Sequence, residues 1–381
     1  MKHVILAFGI LITVSFCACA QKENPKMDFE KYNPVSTLKV PEHIVTKAKF
    51  PFIDVHNHQW NVPRQDIKEL YQQMDELNLQ VMVNLSGKAY KSTPGKVNGD
   101  FDVQGNSYLV NSINKVTATG SKRMVFFTNL SFVGFGEPGW TERAVKELEK
   151  DVQSGACGLK IYKDLGMEFK DEKGQYIKID DPRLDAIWSK CGELHIPVLI
   201  HTADPKPFWD AEDENNERWL EIATHPNRKR SNTNPAPWQT LIDDQHHLFS
   251  KHPNTIFIAA HFGWYANDLT TLGHLLDTLP NVYVEFGAVI AELGRQPKAA
   301  KTFFTTYQNR ILFGKDSWVP SEYSTYFRVL ETEDEYFPYH KKYHAFWRMY
   351  GIGLPDDILK KVYYKNALNI IPGLDKTMFP D

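Results

Sequence analysis

Eight short apolar runs recur along the chain, at 52–56, 79–85, 123–130, 158–162, 197–201, 255–260, 282–286 and 311–313. Each has the length and near-continuous hydrophobicity of a strand buried on both faces. Amphipathic helical patterns lie between them. Ile67, Leu70, Tyr71, Met74 and Leu77 make one stripe, and Leu269, Leu272, Leu276 and Leu279 make another, broadened by Leu275. Pro280-Asn281 ends the second helix just ahead of the next strand. Eight strands alternating with helices predict a (β/α)8 TIM barrel, an α/β fold. The rival is a doubly wound open sheet, but no glycine-rich phosphate fingerprint follows the first run.

Three inserts follow strand ends. Residues 88–106 are polar and glycine-rich. Residues 202–253 carry Trp209, Trp219 and Trp238, and residues 318–355 carry Tyr323, Tyr326, Tyr336, Phe337, Trp347 and Arg348. Connections this long in a compact domain usually bind or cover something, and the aromatic content of the second and third argues against disorder. The expectation is a barrel with long βα loops forming a lid over its C-terminal face.

The N-terminus reads differently. Lys2 and His3 precede an apolar stretch to Phe16, then Cys17-Ala18-Cys19-Ala20-Gln21. This predicts an export signal at 1–20, too short for a membrane span. Cleavage before Gln21 competes with lipidation of Cys19, where Phe16 replaces the leucine common in lipoprotein signals. A proline-containing tether at 21–48 and a barrel domain at 49–381 follow. The protein is therefore expected to be exported, periplasmic or lipid-anchored, with a soluble body that touches the membrane only through that anchor. A net charge of -3 leaves no footprint for nucleic acid. Cys157 and Cys191 fall in core-facing segments and read as small hydrophobes.

Chemistry gathers at the strand ends. The first run ends in His56-Asn57-His58, and residues two apart on a strand share a face, which suits a divalent metal. Lys160 lies between Leu159 and Ile161 in the fourth run and should point into the barrel. The fifth ends at His201, the sixth in Ala260-His261-Phe262-Gly263, and the eighth in Gly314-Lys315-Asp316. Singly, each has an ordinary explanation: a rim histidine, a snorkelling lysine, a helix-capping aspartate. Their shared position at one end of successive strands is what singles them out.

In that order, His56-x-His58, Lys160, His201, His261 and Asp316 resemble the amidohydrolase superfamily, and most closely its amidohydrolase-related branch of metal-dependent TIM-barrel hydrolases. The resemblance covers roughly residues 50–373. It implies that His56, His58 and Asp316 hold a divalent metal, zinc first among candidates, with His201 completing that shell or the shell of a second ion. It implies catalytic roles for Asp316 as proton acceptor, for His261 at the substrate oxygen, and for Lys160, which would bridge two metals if carboxylated and otherwise face a substrate carboxylate or Asp164. The branch contains hydrolases, decarboxylases, hydratases and lactonases, so the expected small-molecule reaction is metal-dependent hydrolysis of a lactone, amide or ester, with decarboxylation or hydration as the alternative. An exported non-catalytic binding protein is the alternative from another class, and self-association into a homo-oligomer stays open. On the substrate side, Arg295 is a candidate carboxylate clamp against an ordinary salt bridge, Lys163 a candidate cation, and Trp60 and Trp318 candidate walls. Glu285 is an alternative inward acid.

Overall fold

The computed structural model describes residues 27–28, 32, 34–91, 102–341, 343–344 and 347–380. The predicted export signal at 1–20, much of the tether and residues 92–101 of the first insert lie outside the described residues. The chain divides into residues 1–39, whose described residues carry no helix or strand, and residues 40–381, which hold every element below.

The apolar runs become strands β1 (Phe52–Asn57), β2 (Leu79–Asn84), β3 (Met124–Thr128), β4 (Gly158–Ile161), β5 (Val198–Ile200), β6 (Phe257–Ala259), β7 (Val282–Glu285) and β8 (Ile311–Leu312). They form one sheet in sequence order, each parallel to the next. Between the outermost strands, Val55 N–H donates to the Phe313 carbonyl (2.9 Å) and Asp316 N–H to that of His56 (2.6 Å). Asn57 and Asp316 form a parallel bridge at the same seam. The result is a nearly closed (β/α)8 barrel.

Burial follows the predicted stripes. In the helix Ile67–Leu77 the Asp66 carboxylate caps the Lys68 and Glu69 N–H groups, and Ile67, Leu70, Met74 and Leu77 face the core. In the helix Leu269–Thr278, capped by Asp268, the buried leucines are Leu269, Leu272, Leu275 and Leu276. Cys157 and Cys191 are free and buried.

The second insert is shorter than its sequence suggests. Trp238–Lys251 is the helix between β5 and β6, with Trp238, Leu241, Ile242, Leu248 and Phe249 buried. The remainder carries the short helix Trp219–Thr224. The third insert holds the helix Tyr323–Glu331 and an antiparallel pairing of Phe337–Pro338 with Arg348–Met349. Among the described residues no helix is long and apolar enough to cross a membrane.

Candidate metal centre

His56 ends β1 fully buried, and its ring is held from behind. Its Nδ1 donates to Glu285 Oε1 on β7 at 2.7 Å, which leaves Nε2 facing forward, buried and without a hydrogen-bond partner among the described residues. Glu285 also accepts from His261 N–H (2.8 Å) and Gly287 N–H (2.6 Å). Burial alone would raise the Glu285 carboxyl, but the charge and hydrogen bond of His56, with His261 and the Gly287 N–H, outweigh it and bring it down to about 2. A Cβ on Gly314 would collide with Glu285 Oε2, so glycine after Phe313 is what lets this carboxylate approach.

His58 is fixed in a similar way. Its Nδ1 is hydrogen-bonded to Ser86 Oγ at 2.7 Å, and Trp60 stacks on the ring at 5.0 Å and 8°. Both imidazoles turn Nε2 toward Asp316 Oδ1, at 3.4 Å from His56 and 3.7 Å from His58. Ligands around a tetrahedral ion with bonds near 2.1 Å stand about 3.4 Å apart. The triplet His56, His58 and Asp316, with ligand atoms mutually within 4.8 Å, therefore fits a small divalent cation. Burial pushes the Asp316 carboxyl up, but His56, His261, His58 and Lys160 together hold it well below the usual carboxylate range, so it is ionised.

His56, His261 and Glu285 also converge. Their contacts are hydrogen bonds already made, the His56 Nδ1–Glu285 pair at 2.7 Å and the His261 N–H–Glu285 pair at 2.8 Å, which marks them as a support for the first triplet.

His261 opens a left-handed turn: His261, Phe262, Gly263 and Trp264 all have φ between 55° and 63°. The turn aims His261 Nδ1 at the Gly287 carbonyl (2.6 Å), so Nδ1 carries the hydrogen and Nε2 the lone pair. Burial lowers this imidazole to about 4, leaving it neutral at ordinary pH. His201 lies outside the triplet. Its Nδ1 is 3.3 Å from His261 Nε2, and its own Nε2 is buried without a hydrogen-bond partner among the described residues. Lys160 Nζ is buried, has no hydrogen-bond partner among the described residues, and sits 5.5 Å from the centre of the Tyr162 ring. Burial lowers it to about 8 against the pull of Asp316, Glu285 and Asp164.

A cavity of about 190 Å³ opens from Asp316, His261 and His201 toward the two aromatic inserts. Of the four substrate-side candidates only Lys163 lines it, paired with Asp204 at 2.7 Å. Arg295 is drawn away by Glu217 (2.9 Å) and lies over the Trp347 ring at 3.6 Å, so the salt-bridge alternative holds. Trp60 is spent on His58 and Tyr90, the latter at 4.4 Å, and Trp318 donates to Gln73 at 3.1 Å. The inserts instead bring Arg218, Glu221, Arg228, Lys341 and His344, which no periodicity in the sequence marks. A larger hollow of about 360 Å³, between Cys191 and the C-terminal segment near Ile371, is lined by no carboxylate.

The profile of the Amidohydrolase family (Amidohydro_2) matches residues 53–372. No curated protein matches. Among solved structures, a dihydroxybenzoic acid decarboxylase from a Polaromonas species, with bound manganese and the inhibitor 2-nitroresorcinol, superposes with a TM-score of 0.51 at 13% identity, over 84% of this chain and 96% of that one. An uncharacterised TIM-barrel protein from Bordetella bronchiseptica gives 0.50 at 13% identity, over 84% and 97%. At such identities the likeness is one of fold. The family match spans the barrel from β1 past β8 and takes in every residue of the His56, His58 and Asp316 triplet: the chain belongs to the Amidohydrolase family of metal-dependent TIM-barrel proteins.

Proposed function

We propose that the chain is a metal-dependent hydrolase acting on a small polar substrate, a lactone, amide or ester of a carboxylic acid. The observation that carries this is the convergence of two oriented imidazole Nε2 atoms on an ionised Asp316. His56, His58 and Asp316 would hold the cation, zinc in the first instance, with manganese, as in the Polaromonas structure, the other ion to test. When bound, such an ion supplies Lewis acidity and acidifies a water toward neutral pH. Asp316 is the proton acceptor: its second oxygen can take a proton and return it to the leaving group. His261, neutral and with its lone pair on Nε2, accepts rather than donates until it is protonated. Lys160, whose amine has no hydrogen-bond partner among the described residues, is the residue that decides the chemistry.

Two forms of Lys160 support two readings. A carboxylated Lys160 would add a second anionic ligand and a second ion, favouring hydrolysis. A free ammonium would neutralise a substrate carboxylate, and that favours the second reading, nonoxidative decarboxylation on the same triplet. The test is metal per chain by elemental analysis of wild type, Lys160→Ala and Asp316→Asn, alongside panels of lactones, amides and aromatic acids. About two ions falling to one in Lys160→Ala supports the bridged hydrolase. About one ion, unchanged in Lys160→Ala, with carbon dioxide release, supports the decarboxylase. No metal after reloading rejects both.

A further inference from the structure

The insert wall of the cavity carries more positive charge than its acids neutralise. Arg218 is buried between Glu221 (2.7 Å) and Glu292, Arg228 is paired with the same Glu221, and Lys163 is taken by Asp204 (2.7 Å). Lys341, half-buried on the same wall, has no carboxylate partner among the described residues. Beside it, His344 Nε2 is 3.5 Å from Glu221 Oε2, while its Nδ1 is buried with no hydrogen-bond partner among the described residues. The surplus is felt there: burial, then Arg218, Lys341, Arg228 and Arg295, hold His344 down to about 2. A lone ammonium is a one-carboxylate receptor. A phosphate would call for several free donors, and the guanidinium groups are already occupied. The volume of about 190 Å³ lies below the usual ~300–1,000 Å³ of ligand pockets, so the occupant is small.

We propose that Lys341 is a specificity-determining residue, and that the substrate is a small organic acid bearing a second carboxylate, apart from the group that reaches Asp316. This rests on the metal-centre reading only for which end reacts; the anion preference itself does not need it.

The test is calorimetric titration of the manganese-loaded full chain with glutarate and with pentanoate, which share a carbon skeleton and differ by one carboxylate. Wild type is expected to prefer glutarate by about tenfold, the size of one charge-assisted contact. Lys341→Gln should lose that preference, with pentanoate binding and metal content unchanged, and Lys341→Arg should restore most of it. No preference in wild type, or a preference that survives in Lys341→Gln, overturns the proposal. Metal content is read on the same samples: protein without metal that still shows a Lys341-dependent preference rejects the metal-centre reading and leaves this one standing.

Discussion

Replacing Glu285 by glutamine tests whether the metal triplet is held from behind. Glu285 faces three donors: His56 Nδ1–H and His261 N–H at Oε1, and Gly287 N–H at Oε2. An amide offers one acceptor and one donor, so some buried N–H must lose its partner whichever way the glutamine turns. With the NH2 at the Oε2 position, Gly287 N–H is orphaned, which costs about 1–3 kcal/mol. The two bonds kept at Oε1 also change from charge-assisted to neutral, roughly halving their strength. With the NH2 at the Oε1 position, it donates to His56 only if that ring moves its hydrogen to Nε2, and the ligand atom is lost. Glu285→Gln is therefore expected to lower unfolding stability by about 2–4 kcal/mol. It should also weaken metal affinity by about 10–100-fold, the usual effect of removing a partner behind a ligating histidine. Urea unfolding of chelator-treated protein reads the first number, and competition against a chromophoric chelator reads the second. Affinity within about twofold of wild type would refute the idea that Glu285 sets the His56 ring.

Gly314→Ala should act on the same element from the other side: its Cβ has no room beside Glu285 Oε2, and a loss of about 1–3 kcal/mol in unfolding, with weaker metal retention, is expected. Wild-type stability in the metal-free protein would contradict it. The low proton affinity of His344 gives a pH dependence of definite sign. Its folded value, about 2, lies below the unfolded value near 6.5, so the unfolded chain binds the extra proton and the stabilisation, full above pH ~6.5, is lost as pH falls toward about 2. Between pH 7 and pH 5 this amounts to about 2 kcal/mol, so the stability lost between the two pH values, read by urea unfolding, should be smaller by that amount in His344→Gln, the share of His261 being common to both proteins.

Much of this was legible in the sequence because it is periodic. Strand parity puts His56 and His58 on one side of β1, and the apolar runs locate all eight strands, down to β8, which is only Ile311–Leu312. Parity cannot say how a chain turns after its strand ends. His261 stands in a left-handed turn that no pattern announces, and His201 faces His261 rather than the triplet. The sequence leaves Arg295 open between a clamp and a salt bridge because its partners, Glu217 and Trp347, come from two inserts with no repeat to align them. Lys341 and His344 were invisible for the same reason. Trp238 falls in the sequence within the insert at 202–253, yet it is the first residue of the helix Trp238–Lys251, which Pro237 caps.

The seam of the barrel and the triplet are built from the same residues. β1 and β8 meet through Asp316 N–H on the His56 carbonyl and the bridge between Asn57 and Asp316. A fluctuation that parts the first strand from the last therefore pulls the carboxylate from both imidazoles in the same movement. Closure of the cylinder and assembly of the centre are a single event, and an ion held there would act as a clasp joining the two ends of the barrel across some 260 intervening residues.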